Sequence, residues 1–372
     1  MSALAAHLRR WTRRAFLASF AASAVAVERG KGTLLEPESA RFSDPATELE
    51  VLRLTSPNVA TYLPAYYNRA LSHKGQFLLC WSDRTGSPQA FRINLKNGEW
   101  IQLTDASALD GASLTLLPGE RSFAFFDGPA LKRVDFSKLR EREVYRVPEG
   151  WEPCPGASVT EDGLYAIFGE RRGQASRLRL VGMAKGNAAT IAEAPWILSD
   201  PVGRPRRTQA LYRQESSALW LVNFDGRENR RLKIAAGEIG PARWATDGRT
   251  ILYLHFPVEK NQLNTIREHT PDLNQDQHVD KTSQFVHFDV NHDSSVFVGA
   301  SRNKASPHIL LLLRSPQREL TLCEHRASDP AKVSPLFSAN SQQVFFQTDK
   351  LGKMAIYRIH VERFVAETEP ET

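Results

Sequence analysis

Short apolar runs alternate with short polar turns along most of the chain. Residues 72–104 give the clearest copy, in which three apolar runs are separated by loops rich in Gly, Asp and Asn. Within it, Phe91–Leu95 alternates apolar and polar side chains with the period of two residues that is typical of a strand. Asn97-Gly98 then supplies a two-residue hairpin turn. This pattern predicts consecutive antiparallel strands joined by hairpins.

The same unit recurs along the chain, which indicates a repeat architecture. Corresponding turns follow at residues 118–120, 161–163, 246–248, 292–294 and 339–341, with a degenerate copy near Gly203. Successive turns are about 40 to 47 residues apart, which is the spacing of four-stranded propeller blades. We therefore predict an all-β fold, a seven-bladed β-propeller whose ring is closed by an N-terminal strand at 48–54. A β-sandwich would not require turns at this regular spacing.

The N-terminus has the pattern of a twin-arginine export signal. Arg13-Arg14 is followed by an uncharged apolar run, Ala15–Val27, which is too short to span a bilayer, and small residues place cleavage near 24–26. A basic amphipathic helix on a cytoplasmic protein, the alternative, would not account for the apolar run. We expect a periplasmic or secreted protein with four segments: a signal peptide at 1–26, a polar linker at 27–46, the propeller at 47–364 and an acidic tail at 365–372.

Charge argues against a nucleic-acid partner. The chain has 48 Lys and Arg against 42 Asp and Glu, but four of the arginines lie in the first 27 residues, which leaves 44 against 42 for the rest. A DNA-binding protein would have a larger excess of basic over acidic residues on its folded part. The three cysteines are widely spaced and odd in number, so they indicate buried strand residues rather than a disulfide framework or a metal cluster. We expect a monomer with no membrane span.

The innermost strand of each propeller blade lines the central channel, so residues just before each turn are candidate ligand contacts. Most of the ionisable ones here are basic, and a polycarboxylate ligand would relieve the repulsion between them. Guanidinium groups also suit bidentate contacts with carboxylates. The alternative is that each side chain is solvated or paired with an acid. The candidates are Tyr66, Asn68, Arg69, Arg204, Arg206, Arg207, Arg243, His287 and Lys332.

Four pieces of the sequence carry a family resemblance. The first blade, Trp81–Asp105, is similar to TolB-like propellers. More narrowly, that blade together with Leu252–His255, Phe285–Phe288 and Ser334–Ser338 resembles the oligogalacturonate lyase family. The resemblance implies a seven-bladed propeller that degrades short pectic oligomers by β-elimination, with Mn²⁺ in the central site. It also implies that His255 is the base and that His287 binds the metal.

The remaining metal ligands of that family are replaced in this chain. The family has a Gln-x-x-His-x-His-Pro arrangement, whereas this sequence has Asp329, Lys332 and Ser334 at those places, followed by Pro335. A protonated ammonium group cannot ligate a metal, so tight Mn²⁺ binding in the family manner is not expected. His287 and Asp329 are the remaining candidate metal ligands.

Two hypotheses follow for function. In the first, the protein is a carbon–oxygen lyase acting on oligogalacturonate, with His255, Lys332 and Arg243 as catalytic residues. The substrate-binding residues are then Tyr66, Asn68, Arg69, Arg206 and Arg207. In the second, catalysis has been lost and a periplasmic TolB-like propeller binds acidic oligosaccharides or a protein partner. The sequence contains no Gly-x-Ser-x-Gly elbow, zinc motif or phosphate-binding loop that would indicate another enzyme class.

Overall fold

The computed structural model describes residues 30–214, 216–259 and 261–365. The predicted signal peptide lies wholly outside these residues, and so does the acidic tail apart from its first residue. The described residues form thirty strands, one 3₁₀ helix and one short α-helix. None of their helices is long and apolar enough to cross a membrane.

The strands are grouped by blade. Three short strands come first: β1 (Leu34–Leu35), β2 (Ala40–Ser43) and β3 (Glu50–Arg53). Blade one contains β4 (Thr61–Tyr62), β5 (Phe77–Ser82), β6 (Gln89–Asn94) and β7 (Trp100–Gln102). Blade two contains β8 (Leu109–Leu116), β9 (Ser122–Asp127), β10 (Ala130–Asp135) and β11 (Glu141–Arg146). Blade three contains β12 (Glu152–Val159), β13 (Tyr165–Arg172), β14 (Ala175–Gly182) and β15 (Ala188–Ala194).

The second half of the ring continues in the same way. Blade four contains β16 (Leu198–Gly203), β17 (Gln209–Gln214), β18 (Ala218–Asn223) and β19 (Arg230–Arg231). Blade five contains β20 (Gly237–Trp244), β21 (Ile251–Pro257), β22 (Thr265–Thr270) and β23 (Gln275–Lys281). Blade six contains β24 (Phe285–Val290), β25 (Val296–Ser301), β26 (His308–Leu313) and β27 (Arg318–Glu324). Blade seven has a 3₁₀ helix (Pro330–Lys332), β28 (Leu336–Phe337), β29 (Gln343–Thr348) and β30 (Ala355–His360), followed by α1 (Glu362–Val365).

The ring is closed as the sequence predicts. The last sheet has the order β2-β3-β30-β29-β28, so the N-terminal strand β3 pairs with the C-terminal strand β30, with Val51 opposite Ile359. The first strand of each blade faces the axis, since these strands contact the first strands of neighbouring blades. Five of them, β8, β12, β16, β20 and β24, have an irregular register with their second strand. Such irregularities re-aim side chains, here at the channel.

Seven apolar clusters form the core, each shared by two neighbouring blades. One joins Phe126 of blade two to Phe168 of blade three, with ring centroids 4.9 Å apart. Burying such a side chain contributes about 1.5–3 kcal/mol, so the blades depend on their neighbours for stability. Cys80, Cys154 and Cys323 are free and buried in strands, as predicted.

The prediction of a polar linker needs correction for residues 30–46, which we call the strap. Within it, β1 pairs with β7 at the outer edge of blade one, and β2 pairs with β3 at the outer edge of blade seven. Between these strands, Glu38 forms a two-pronged ion pair with Arg84 at 3.0 Å. These strands are only two and four residues long, so their pattern is too short to be recognised in the sequence.

Candidate ligand-binding site in the central channel

A cavity of 740 Å³ lies in the central channel and is lined by residues from six of the seven blades. It opens on the face that carries the turns between the first and second strands, which we call the turn face; the other end is the opposite face. In blade seven the cavity extends from Ala339 in such a turn to Ser334, which precedes β28. Its volume lies within the range of about 300–1,000 Å³ that is typical of small-molecule sites.

The segment after β4 carries Tyr66 into the channel. Its hydroxyl donates to Asp200 Oδ2 of blade four at 3.2 Å and accepts from the Ala242 N–H of blade five at 3.3 Å. The neighbouring Tyr67 packs edge-on against it, with ring centroids 5.0 Å apart. Tyr66 therefore crosses the channel and connects blade one to the far side of the ring.

Arg243 and Asp289 form an ion pair beside Tyr66. Arg243 Nη1 lies 2.9 Å from Asp289 Oδ1, and the Phe337 N–H donates to Asp289 Oδ2 at 2.7 Å. The guanidinium carbon of Arg243 is 5.2 Å from the centroid of the Tyr66 ring. These contacts connect blades five, six and seven. Arg243 Nε and Nη2 are buried without a hydrogen-bond partner.

His287 lies two residues before Asp289 on β24 and is 6% exposed. Its ring contacts Tyr66 edge-on at 5.6 Å, and Nε2 is 3.3 Å from Ser334 Oγ. Nδ1 has no hydrogen-bond partner. Burial, and then the charge of Arg243, lower the pKa of His287 to about 3, so the imidazole is neutral at physiological pH.

Asp200 and Arg213 complete this group. Asp200 has a positive φ of 49° in the irregular part of β16, and its Oδ2 lies 3.5 Å from Arg213 Nε. Burial, and then the charge of Asp200, raise the pKa of Tyr66 well above its usual range, so its hydroxyl stays protonated. We call Tyr66, Asp200, Arg213, Arg243, His287 and Asp289 the axial cluster.

Two further predicted contacts reach the same cavity. Asn68 Nδ2 donates to the Ala112 carbonyl at 2.8 Å, and its Oδ1 is buried without a partner. Arg69 is exposed and lines the cavity, while its carbonyl accepts from the Leu116 N–H at 2.9 Å. The structure thus brings Tyr66, Asn68, Arg69 and Arg243 together.

Arg206 and Arg207 are placed elsewhere. Both are exposed in the turn that follows β16, and Arg207 lines a separate hollow of 400 Å³ that Asp272 also lines. The neighbouring Arg204 is buried there and binds both carboxylate oxygens of Asp272, at 2.8 and 2.9 Å. The structure therefore does not bring these arginines to the cavity.

His255 lies near the opposite face, because β21 runs back from the turn face and His255 is near its end. It is 7% exposed and does not line the cavity. Nε2 lies 2.8 Å from the Ala236 carbonyl, which can only accept, so the proton is on Nε2. Nδ1 then carries the lone pair, 3.4 Å from Thr265 Oγ1.

Lys332 and Asp329 also lie near the opposite face, in and beside the 3₁₀ helix. The Lys332 side chain is 67% exposed, and its Nζ is 3.6 Å from Asp329 Oδ2. Asp329 Oδ1 accepts from the Ala331 N–H at 3.1 Å and so caps the helix. Neither side chain lines the cavity.

The residues at the family's metal positions do not fit Mn²⁺. His287 offers a nitrogen without a partner, but Ser334 and Lys332 stand where imidazoles are implied, and Asp329 is occupied as a helix cap. Within residues 30–214, 216–259 and 261–365, no group of three or more His, Cys, Asp and Glu side chains could hold a metal ion. Mn²⁺ is bound by carboxylate, imidazole and water ligands, and this set is too small.

Comparison with known proteins agrees with the fold and the resemblance. A sequence model described as oligogalacturonate lyase matches residues 29–169. The oligogalacturonide lyase of Pectobacterium atrosepticum is 23% identical over 366 residues, covering 85% of this chain and 94% of that protein. The chain is therefore similar to oligogalacturonate lyases over most of its length.

Two solved structures share the architecture of this chain. One is an oligogalacturonate lyase in complex with manganese, with a TM-score of 0.84, 22% identity, and coverage of 90% of this chain and 98% of that one. The other is the oligogalacturonate lyase of Vibrio parahaemolyticus, with a TM-score of 0.83, 23% identity, and coverage of 89% and 98%. At this level of identity the likeness shows the seven-bladed fold.

The sequence analysis missed Asp200, Arg213 and Asp289. A signal existed for Asp289, since it lies two residues after His287 in an otherwise apolar strand, and side chains two apart point to the same face. No comparable signal marks Asp200, because an irregular register in β16 directs it inward. Arg213 ends up beside it through the pairing of β16 with β17.

Proposed function

We propose that this protein cleaves short oligogalacturonates by β-elimination. The observation that carries the proposal is the channel cavity, which Arg69, Asn68 and Arg243 line and where Asn68 Oδ1 and Arg243 Nε and Nη2 have no partner within the protein. A charged polymer of uronate sugars offers the carboxylates and hydroxyls that would complete these contacts. Similarity to the relatives named oligogalacturonide and oligogalacturonate lyase supports the same substrate class.

The elimination needs a base and a positive charge. The base takes the proton from C5 of a galacturonate, the C5–H electron pair forms the C4=C5 double bond, and the C4–O bond breaks with its electrons leaving on oxygen. A proton on that oxygen completes the products, one of which is unsaturated. A cation beside the C6 carboxylate lowers the free energy of the enolate-like intermediate.

His255 is our candidate for the base. Because it does not line the cavity, this role requires the oligosaccharide to extend from the cavity to the opposite face, so that the galacturonate that loses its C5 proton lies beside His255. Its Nε2–H bond to the Ala236 carbonyl fixes the tautomer in which Nδ1 can accept a proton. Backbone carbonyls orient many catalytic histidines in the same way. The family resemblance supports the same role. His287 suits the role less well, because its low pKa makes it a weak base.

We also propose that the protein works in the periplasm or outside the cell. The twin-arginine pattern at Arg13-Arg14 supports this location, and the free, buried cysteines agree with a fold that does not depend on oxidation.

Loss of catalysis is the second candidate, and one observation favours it. The positions that supply metal ligands in the family hold an ammonium group, a hydroxyl group and a capping carboxylate in this chain. Under this alternative the propeller binds acidic oligosaccharides, or a protein partner, without cleaving the sugar.

One experiment separates the two. The purified mature protein is incubated with digalacturonate or trigalacturonate after EDTA treatment, with and without added Mn²⁺, and the ultraviolet absorbance of the unsaturated product is followed. Lyase activity predicts rising absorbance. If calorimetry shows binding but no product forms in any condition, the lyase proposal is wrong and the binding protein remains.

A further inference from the structure

Arg243 lines the channel cavity, and one edge of its guanidinium group has no partner within the protein. A guanidinium group has five N–H donors, and its Nε and Nη2 together form one planar edge that matches the two oxygens of a carboxylate. Arg243 uses Nη1 for Asp289, at 2.9 Å, and leaves Nε and Nη2 buried and without partners. Its side chain is 15% exposed and lines the cavity.

Two other arginines of this chain show how a carboxylate fills that edge. Arg267 Nε and Nη2 lie 2.8 and 2.7 Å from Asp276 Oδ2. Arg171 Nε and Nη2 lie 3.2 and 2.9 Å from Glu152 Oε2. In both cases a carboxylate of the protein occupies the edge. At Arg243 the protein supplies a carboxylate to Nη1 only, so the equivalent place is open to a ligand.

The surroundings hold Arg243 in this orientation. Asp289 is fixed by the Phe337 N–H at 2.7 Å as well as by Nη1, so it cannot rotate to bind the free edge without losing a hydrogen bond. The Tyr66 ring lies against the guanidinium group, 5.2 Å from centroid to carbon. The acids at the cavity mouth, Glu120 and Glu161, form no ion pair with Arg243 among the described residues. The edge is therefore preorganised for a group from outside.

Asn68 supplies a complementary acceptor in the same cavity. Because Nδ2 donates to the Ala112 carbonyl at 2.8 Å, the amide is oriented with Oδ1 as a free acceptor, and Oδ1 is buried without a partner. A sugar ring with one carboxylate and several hydroxyls has the donor and acceptor needed for both sites. A neutral sugar would leave the Arg243 edge unpaired, and a simple inorganic anion would leave Asn68 Oδ1 unpaired.

We propose that Arg243 binds a uronate carboxylate of the oligosaccharide through its Nε and Nη2, while Asn68 Oδ1 accepts from a hydroxyl of the bound sugar. This inference rests on the proposed substrate class and deepens it. It assigns the recognition of the carboxylate to a guanidinium group held by Asp289, rather than to Lys332 or a metal ion. Arg243 thereby determines the preference for acidic over neutral oligosaccharides.

Calorimetric titration with trigalacturonate tests the inference, with galactotriose as the neutral comparator, in parallel series that contain EDTA or added Mn²⁺. The double variant Arg243→Met/Asp289→Asn removes the edge without leaving an unpaired carboxylate, and Arg243→Lys keeps the charge but not the planar edge. We expect at least a 30-fold loss of affinity in the double variant and about a tenfold loss in Arg243→Lys. Arg249→Met is the matched control, because Arg249 is 84% exposed on the turn face, and it should stay within twofold.

Circular dichroism and thermal unfolding establish that each variant is folded. If the double variant is not folded, the affinity of Arg243→Lys is compared with that of wild type instead. Affinity within threefold of wild type in a folded Arg243 variant would overturn the inference while leaving the proposed function standing. Binding that EDTA abolishes and Mn²⁺ restores would also overturn it. If the wild-type protein neither binds nor cleaves trigalacturonate, the proposed function and this inference fail together.

Discussion

The two ends of the channel differ in whether their polar groups have hydrogen-bond partners or water. Near the opposite face, His255 is hydrogen-bonded to Ala236, and Lys332 is exposed to water beside Asp329. In the cavity, Arg243 and Asn68 keep buried atoms without partners. An unpaired buried donor or acceptor costs about 1–3 kcal/mol. Sequence resemblance points to the first region as chemically important, whereas unused hydrogen-bonding capacity marks the second as the place where a ligand binds.

The two ends therefore suit two different tasks, proton abstraction and ligand binding, which a sequence motif does not distinguish. A base needs a defined tautomer and one nitrogen lone pair, which His255 has even with a hydrogen bond to the backbone. A binding site needs groups that remain unpaired until the ligand arrives. The expected effects of substitutions at the two ends therefore differ in kind, and four variants test the division.

His255→Gln is expected to have the largest effect. Removing a general base lowers turnover by about 10²–10⁴-fold. Because His255 does not line the cavity, affinity for trigalacturonate should stay within about threefold of wild type. Initial rates by ultraviolet absorbance and titration calorimetry measure the two quantities. Parallel losses of affinity and turnover would mean that His255 contributes to affinity as well as to turnover, and the division between the ends would fail.

The pH dependence of stability, compared between wild type and His287→Gln, tests whether the imidazole is buried in its neutral form. The pKa of His287 is about 3 in the folded protein, against about 6.5 in an unfolded chain. Below pH 6.5 the unfolded state binds a proton that the folded state excludes, so stability falls as the pH drops towards 3, by about 1.4 kcal/mol per pH unit from this residue.

Urea unfolding at pH 7.0 and pH 4.5 checks the sign. The wild-type protein should lose more free energy of unfolding than His287→Gln does between these two values. Equal losses in the two proteins would show that His287 can take up a proton in the folded state, and that the axial cluster is more open to water than its contacts indicate.

Tyr66→Phe should destabilise the protein by about 1–2 kcal/mol, because it leaves Asp200 Oδ2 and the Ala242 N–H without the hydroxyl that they share. Tyr62→Phe is the matched control, since Tyr62 stacks on Trp81 through its ring at 4.2 Å. The control should change the free energy of unfolding by less than about 0.5 kcal/mol. Similar values for both variants would contradict a bracing role for the Tyr66 hydroxyl.

Lys332→Ala should have the smallest effect. Its ammonium group is largely exposed and pairs loosely with Asp329, and such pairs contribute about 0–1 kcal/mol. Trigalacturonate affinity should change by less than about twofold, and the thermal midpoint should hardly move. A loss of affinity comparable to that of the Arg243 variants would return the charge-supplying role to Lys332 and move the ligand to the opposite face.

The sequence was informative wherever a regular period existed. Turn spacing predicted seven blades, and the alternation at 48–54 predicted the closing strand, because a regular sheet repeats its pattern. Tyr66, Asn68, Arg69 and Arg243 could be found since they lie on or just after inner strands. Asp200 could not, because irregular pairing aims it at the axis. Arg206 was misplaced because the turn of blade four, unlike those of the other blades, does not line the cavity.

The pairing of β3 with β30 has a consequence for biosynthesis. The two strands are separated by about three hundred residues, so the seventh sheet cannot form until nearly the whole chain has left the ribosome. Until then residues 50–53 present an unpaired strand edge, which is the kind of surface that associates with other chains. The strap strand β2 pairs with the other edge of β3 and is its neighbour in sequence, so that edge can be covered before the ring is complete.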